Sequence, residues 1–182
     1  IHVMRKTVID GSNTTGFQRT CVIALDGELN IEGKKVPIQH ISLEEDAARK
    51  MGEDGSSIKY RIDRLGIPLI EVATAPVIFS PQEAEKTALA IGRILRATRK
   101  VKRGLGTIRQ DLNISIKDGA LIEIKGVQEL ELVSVAVEYE VQRQLGLFKI
   151  RDELKARGVK EEDIKEEYVN VTSIFEKTKC KV

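Results

Sequence analysis

The 182 residues suit one domain of ordinary size, or one domain and the start of a second. The 41% hydrophobic and 32% charged residues are typical of a soluble globular protein, and no apolar run approaches the ~18 residues of a membrane span. Two cysteines are too few for a disulfide framework or a thiolate metal site, which favours the cytoplasm; a net charge of +2 excludes few partners.

Short strands are predicted for the first part of the chain. Two apolar runs, residues 21–25 and 36–43, lie among turn signals at Asp10-Gly11, Asp26-Gly27 and Glu32-Gly33. The stretch "EEDAARKMGEDGSS" predicts a helical turn followed by a polar loop. Residues 58–62 and 67–73 are the next predicted strands.

Glu71 stands inside the otherwise apolar run "PLIEVATAP". A lone buried carboxylate is costly unless it is paired, hydrogen-bonded, protonated or bound to a metal. Either this strand is half exposed, or Glu71 has a partner.

A helix is predicted from Ser80, a natural N-cap that is followed by Pro81 and by Glu83 of a capping box. Its buried face would carry Ala84, Ala88, Ile91 and Leu95. The basic run at residues 93–103 is either a solvated helix end or a contact to a polyanion.

A β-hairpin is predicted for "TIRQDLNISIKDGALIEIKG". Pairing Ile116 with Ile122, and Ile114 with Ile124, keeps the apolar face continuous. The opposite face would then gather the polar residues Arg109, Asp111, Asn113, Glu123 and Lys125.

A second, long helix is predicted from about Gln128 to a C-cap at Gly158. Its apolar stripe would contain Leu132, Val135 or Ala136, and Tyr139. A short charged helix would follow at residues 161–168, and residues 169–175 would form a strand or a linker.

Several carboxylates on a sheet surface beside Arg109 and Lys125 suit a site for a divalent cation and phosphate. Cross-strand ion pairs on a wet surface, worth under ~1 kcal/mol each, are the alternative explanation. That alternative does not account for Glu71.

The sequence resembles a family of catalytic subunits, which includes the E subunit of archaeal and the B subunit of bacterial glutamyl-tRNA(Gln) amidotransferases. The matching stretches are "RKTVIDGSNTTGFQRT", "ISLEEDAARK", "DRLGIPLIEVATAP", "SPQEAEKTALAIGRILR", "GTIRQDLNISI", "IEIKGVQEL" and "VEYEVQRQ". The stretches "DGSNTTGFQRT" and "GLGTIRQDLNISI" favour the branch of the archaeal E subunits.

The resemblance implies an α+β fold, with a mostly antiparallel sheet and flanking helices in a glutamine-synthetase-like cradle. Residues 1–158 would form part of this catalytic cradle, without the family's N-terminal strand and the Glu and His that it carries. Residues 159–182 would be a linker or the start of the following insertion. A fragment of this kind is expected to be inactive alone; activity with ATP, Mg²⁺, ammonia and Glu-tRNA(Gln) would overturn that expectation.

The resemblance also implies ATP-dependent transamidation of Glu-tRNA(Gln) through a γ-phosphoryl-glutamyl intermediate. Ammonia would come from an asparaginase-like glutaminase, the D subunit, in an archaeal, cytoplasmic heterotetramer of two D and two E subunits. The Mg²⁺ ligands would be Glu45 (Glu44 is the less favoured choice), Glu71, Asp111 and Glu123. The implied catalytic residues are Arg109 and Lys125, and the implied ATP-binding residues are Arg109, Asn113 and Lys125.

Two other functions remain open. The chain could be a tRNA-acceptor-binding module without chemistry, which would use the basic run and the loop at residues 10–19. It could also be a ligase of the glutamine-synthetase type that acts on a free carboxylate. RNA binding without nucleotide binding favours the first, and the converse favours the second.

Overall fold

The described residues, 2–104, 106–166 and 168–176, form an α+β structure in this computed structural model. Within them the strands are β1 (Val3–Thr7), β2 (Phe17–Ile31), β3 (Lys34–Glu45), β4 (Arg49–Asp54), β5 (Ser57–Arg61), β6 (Pro68–Thr74), β7 (Leu112–Ile114) and β8 (Ile122–Ile124). The helices are α1 (Pro81–Ala97), α2 (Glu131–Ala156) and the single turn α3 (Thr172–Phe175), with a 3₁₀ turn at Glu161–Asp163.

The largest sheet has the strand order β1-β2-β3-β6, and every pairing in it is antiparallel. β4 pairs with β5, and β7 pairs with β8, in two separate antiparallel hairpins. The predicted fold class, α+β with mostly antiparallel sheet and flanking helices, is therefore confirmed.

β2 and β3 form the long central pair of the sheet. The predicted turn at Glu32-Gly33 is confirmed, and both of its residues have positive φ angles, 52° and 89°. The predicted turn at Asp26-Gly27 is wrong, because β2 runs through it. A Cβ on Gly27 would lie 3.1 Å from Cβ of Ile38 on β3, so the small residue serves close cross-strand packing there.

The predicted helical turn after residue 43 is also wrong, because β3 continues to Glu45 and β4 begins at Arg49. Residues 44–57 contain few apolar side chains, so no apolar stripe holds a helix there. The chain instead turns at Gly55 into β5, within the predicted polar loop. The predicted strands at residues 58–62 and 67–73 are confirmed as β5 and β6.

α1 begins as predicted, with Pro81 at its first position and Ser80 as its N-cap. The Ser80 hydroxyl accepts the N–H of Glu83 at 3.2 Å. The Glu83 carboxylate accepts the N–H of Phe79 at 2.9 Å and pairs with Nζ of Lys34 at 2.8 Å. These contacts fix α1 against the turn between β2 and β3.

α2 ends as predicted, with Gly158 at a φ of 74°. The N–H groups of Gly158 and Val159 donate to the carbonyls of Lys155 and Leu154, which is the Schellman pattern. The predicted apolar stripe is wrong: Leu132, Val135 and Tyr139 are exposed, and Ala136, the alternative to Val135, is only half-buried. The buried side chains of α2 are Val133, Glu140 and Gln144.

The register of the β7–β8 hairpin differs from the prediction by two residues. Ile114 pairs with Ile122, and Leu112 pairs with Ile124. A shift of two residues leaves the polar and apolar side chains on their predicted faces of the hairpin, because side chains alternate with a period of two. The ladder stops at Ile114, and the connecting loop packs on α2 instead of extending the pairing.

The last described residues hold less regular structure than predicted. Among the described residues of the predicted helix at 161–168, only the 3₁₀ turn Glu161–Asp163 forms, and α3 lies where a strand or linker was predicted. Among the residues that the structure describes, none of the helices is long and apolar enough to cross a lipid bilayer. The proposed boundary after residue 158 stays a prediction, and Cys180 lies outside the described residues.

Candidate functional site

Glu71 lies on β6, the edge strand of the large sheet, and is exposed. Its neighbour Ile70 is 50% exposed, so β6 is the half-exposed strand that the sequence left as one alternative. Within the described part of the chain, the Glu71 carboxylate has no hydrogen-bond or ion-pair partner. The role of Glu71 as a metal ligand stays a prediction.

The acids at the end of β3 lie on alternate faces of the sheet. Ser42 pairs with Glu71, and Glu44 lies two residues further along β3, on the face of Ser42. Glu45, which pairs with Pro68, lies on the other face. The alternation therefore places Glu44, and not Glu45, on the face of Glu71.

Glu45 and Glu44 both have partners on β2. The Arg19 guanidinium lies 2.6 Å from Oε1 of Glu45, and this hydrogen bond holds the pKa of that carboxyl below its usual value. Oε1 of Glu44 accepts the hydroxyl of Thr20 at 3.1 Å.

Asp46 is the most enclosed acid of this group, with a side chain only 10% exposed. Oδ1 accepts the N–H of Ala47 at 3.0 Å. Oδ2 lies 3.4 Å from Nε of Arg64 and 3.6 Å from Nη2 of Arg109. Asp46 thus links the end of β3 to the residue that leads into the β7–β8 hairpin.

Asp46 belongs to the acidic triplet Glu44-Glu45-Asp46, in which Glu45 is the predicted ligand. The only local signal was its position directly before two alanines, of which Ala48 is buried. Its two arginine partners are far away in sequence, so the sequence alone does not reveal them.

The polar face of the β7–β8 hairpin is exposed and charged. Nζ of Lys125 lies 3.0 Å from Oε1 of Glu123 and 3.1 Å from Oδ2 of Asp111. The Glu123 carboxylate, and then that of Asp111, raise the pKa of Lys125, which keeps this amine protonated. Asn113 pairs with Glu123 in the ladder and is exposed beside it.

The hairpin loop is held by α2. Gln144 is 3% exposed, and its Nε2 donates to Oε1 of Glu140 at 2.8 Å. This bond directs Oε1 of Gln144 towards Gly119, where a Cβ would lie only 2.2 Å from it. Only the small Gly119 backbone fits there, with a Cα–H facing the amide oxygen.

The predicted site residues fall into two places. Asp111, Asn113, Glu123 and Lys125 share the hairpin face, while Glu71 and Glu45 lie on the two faces of the large sheet. Arg109 is the connection between them, through Asp46. Among the described residues, no three His, Cys, Asp or Glu side chains lie close enough to hold a metal ion together.

The fold and these side chains define a class: an α+β domain whose antiparallel sheet lies beside a charged hairpin that presents an ammonium between two carboxylates. A profile of the GatB/GatE catalytic domain matches residues 1–180. The chain belongs to this family.

Three relatives are named as the E subunit of glutamyl-tRNA(Gln) amidotransferase. The protein of Aeropyrum pernix is 62% identical over 183 aligned residues, that of Pyrococcus furiosus 61% over 182, and that of Archaeoglobus fulgidus 56% over 182. All of this chain is aligned in each case, against 28% of the first relative and 29% of the other two. The chain thus spans under a third of the length of these relatives.

Proposed function

We propose that this chain forms part of the catalytic surface of an archaeal, cytoplasmic enzyme that converts Glu-tRNA(Gln) to Gln-tRNA(Gln) with ATP. The support is its family membership and the shared name of its relatives, which align with the whole chain. In the complete enzyme, an asparaginase-like glutaminase supplies ammonia as the D subunit, and two D subunits assemble with two E subunits.

The reaction needs two steps, because a carboxylate is unreactive towards ammonia. An oxygen of the glutamyl γ-carboxylate first attacks the γ-phosphorus of ATP, and ADP leaves. Ammonia then attacks the carbonyl carbon, loses a proton, and displaces inorganic phosphate to give the amide. Positioning and charge stabilisation are the main protein contributions to such a phosphoryl transfer.

The hairpin face is the observation that carries this proposal. Lys125 is protonated and exposed, and it lies between Glu123 and Asp111. An ammonium in this position can bind phosphate oxygens, with Asn113 beside it as an uncharged donor. We therefore assign ATP binding to Arg109, Asn113 and Lys125.

Arg109 is a second cation that the fold presents near this face. Its side chain is 41% exposed, and one nitrogen, Nη2, lies 3.6 Å from Asp46. A guanidinium has five N–H donors in a fixed plane, so the remaining donors are free for phosphate or the substrate carboxylate. Arg109 and Lys125 are the residues that we assign to catalysis.

Mg²⁺ belongs to the proposal as the partner of ATP, with Glu45, Glu71, Asp111 and Glu123 as its predicted ligands. Carboxylate oxygens are the donors that this ion prefers. The described residues do not bring three of these acids together, so they do not form a metal site by themselves.

Calorimetry tests the proposal directly. Mn²⁺ is titrated into this chain, with a non-hydrolysable ATP analogue present, for the wild type, Glu71→Gln and Glu138→Gln. Glu138 is an exposed acid on α2 and serves as the control. We expect binding by the wild type and the control, and loss of binding by Glu71→Gln with its fold intact.

Two results would contradict the assignment. Equal binding by Glu71→Gln and the wild type would exclude Glu71 as a ligand. No heat of binding for the analogue, with or without Mn²⁺, would remove the support for ATP at the hairpin face.

A further inference from the structure

Positive charge is concentrated in one part of the chain. The basic segment, residues 93–103, contains six of the 30 Lys and Arg residues and no acid. The rest of the chain has 24 Lys and Arg against 28 Asp and Glu, a net charge of −4, although the whole chain is +2. The sequence contains no carboxylate between Glu85 and Asp111.

The cations of the basic segment are exposed, and their side chains have no partner among the described residues. They are Arg93, Arg96, Arg99, Lys100, Lys102 and Arg103. The cations on either side are paired: Lys86 with Glu32 at 2.6 Å, and Arg109 with Asp46 at 3.6 Å. Ion pairs therefore neutralise the flanking cations, whereas the six cations between them have no partner in the part of the chain that the structure describes.

The helix end explains only part of this charge. Cations in the last turn of a helix interact favourably with its dipole, and this effect ends within about one turn. α1 ends at Ala97, with Thr98 as its C-cap. Lys102 and Arg103 lie beyond this range, and mutual repulsion among like charges disfavours their accumulation.

The position of the segment connects it to the candidate site. In sequence it lies between α1 and Arg109, which follows Arg103 by six residues, contacts Asp46 and leads into the β7–β8 hairpin. α1 packs against α2. A single anion would need one or two of these cations, whereas a row of them matches a polyanion.

We propose that residues 93–103 bind the phosphate backbone of an RNA next to the candidate site. The choice of RNA rests on the proposed function; the surface itself rests on the unpaired charges. The sequence has no Phe, Tyr or Trp between Phe79 and Tyr139, so this surface offers no aromatic ring on which bases could stack. Its binding is electrostatic, sensitive to salt and tolerant of RNA sequence.

The test measures fluorescence anisotropy of a labelled tRNA transcript that accepts glutamine, over a series of KCl concentrations. The variant carries Arg99→Gln, Lys100→Gln and Lys102→Gln. The control carries Lys149→Gln, Lys155→Gln and Lys165→Gln, which removes three exposed cations without ion-pair partners among the described residues. Circular dichroism verifies that both variants fold.

We expect the variant to lose affinity by at least roughly tenfold and its log–log salt slope to fall by about 2–3, since each phosphate contact contributes about 0.7–0.9. The control should bind like the wild type. The affinity of the variant for a tRNA of unrelated sequence should fall by the same factor. A charge-preserving variant, Arg99→Lys with Arg103→Lys, should retain binding.

Three results would overturn the proposal: an unchanged affinity and slope in the variant, an equal loss in the control, or binding by the wild type to anionic phosphatidylserine vesicles but not to RNA. The Mn²⁺ experiment separates this surface from the proposed chemistry. RNA binding that depends on residues 93–103, without nucleotide binding, would support the surface and reject the chemistry.

Discussion

The two regions that carry the predicted site residues are held in place by different interactions. The acids of the large sheet lie on strands fixed by backbone pairing, and β3 is paired on both sides. The β7–β8 hairpin has only three residues in each strand, and an isolated two-stranded ribbon is marginally stable in water. Side chains hold this hairpin: Gln144 against Gly119, and Asp46 near Arg109.

This difference indicates which part of the site is more sensitive to amino-acid substitution. A ladder of backbone hydrogen bonds is little affected by the loss of one side chain. A hairpin that depends on a few side-chain contacts moves when one of them is lost. Single substitutions should therefore disturb Lys125 and its carboxylates more readily than they disturb Glu71.

Gly119→Ala should have the largest effect on stability. The new Cβ would lie 2.2 Å from Oε1 of Gln144 and 2.8 Å from Cγ1 of Ile116, so the buried Gln144 side chain, the Ile116 side chain or the loop backbone must move. Overpacking of this kind costs about 1–3 kcal/mol. Urea unfolding followed by circular dichroism measures the change in the free energy of unfolding.

Gly146→Ala on α2 is the matched control, because nothing lies within 4 Å of its added Cβ. A glycine-to-alanine change inside a helix should stabilise by up to about 1 kcal/mol. If Gly119→Ala unfolds at the same urea concentration as the wild type, the contact between α2 and the hairpin loop does not hold the hairpin.

The features that the sequence predicted well depend on nearby residues. The start of α1 follows from Ser80, Pro81 and Glu83, and its cap forms within residues 80–83. The end of α2 follows from Gly158, whose positive φ suits glycine. Such signals are local, so they can be read without knowledge of the tertiary structure.

The features that the sequence failed to predict depend on distant residues. The hairpin register depends on the loop contact with Gln144, a residue of a later helix. The exposure of Glu71, which the sequence left as one of two alternatives, depends on the place of β6 at the sheet edge, and strand order decides that place. The environment of Asp46 depends on Arg64 and Arg109, which follow it at separations that no local pattern reveals.

Asp46→Ala should have the next largest effect, about 1–2 kcal/mol, because it leaves the N–H of Ala47 without its acceptor. The loss of the Arg109 pair adds little, since that side chain is 41% exposed. The buried Nε of Arg64, in contrast, would lose the carboxylate that lies 3.4 Å from it. Chemical denaturation gives the stability, and amide chemical shifts of the hairpin report its displacement.

Asp46→Asn separates the two roles of this residue, which are to accept the N–H of Ala47 and to place a negative charge opposite Arg109. Its amide oxygen can still accept the N–H of Ala47, so most of the stability should return. The hairpin shifts should remain, because the charge opposite Arg109 is lost. Normal hairpin shifts in both variants would show that Asp46 does not position Arg109.

Glu140 should make a smaller, pH-dependent contribution. The Arg143 guanidinium, and then the Gln144 amide, hold the pKa of Glu140 below its usual value. A carboxyl with a lowered folded pKa adds stability above its unfolded value, about pH 4, and loses it as the pH falls through the folded value. Glu140→Gln should therefore lose less stability than the wild type between about pH 6 and pH 3. Parallel plots of the free energy of unfolding against pH for the two proteins would contradict this expectation.

Glu71→Gln should have the smallest effect, within about 0.5 kcal/mol, because its exposed carboxylate has no partner among the described residues. Any change should be a gain in stability, since Glu44 is its diagonal neighbour on the same face, at about 7–8 Å, and like charges repel.

Thermal unfolding with and without Mn²⁺ and the ATP analogue tests whether Glu71 binds the metal, because a ligand that binds the folded state raises Tm. The wild type should gain Tm, and Glu71→Gln should not. The hairpin acids already have an internal cation in Lys125, whereas Glu71 has none among the described residues. A large loss of stability in Glu71→Gln would mean instead that this acid serves the fold.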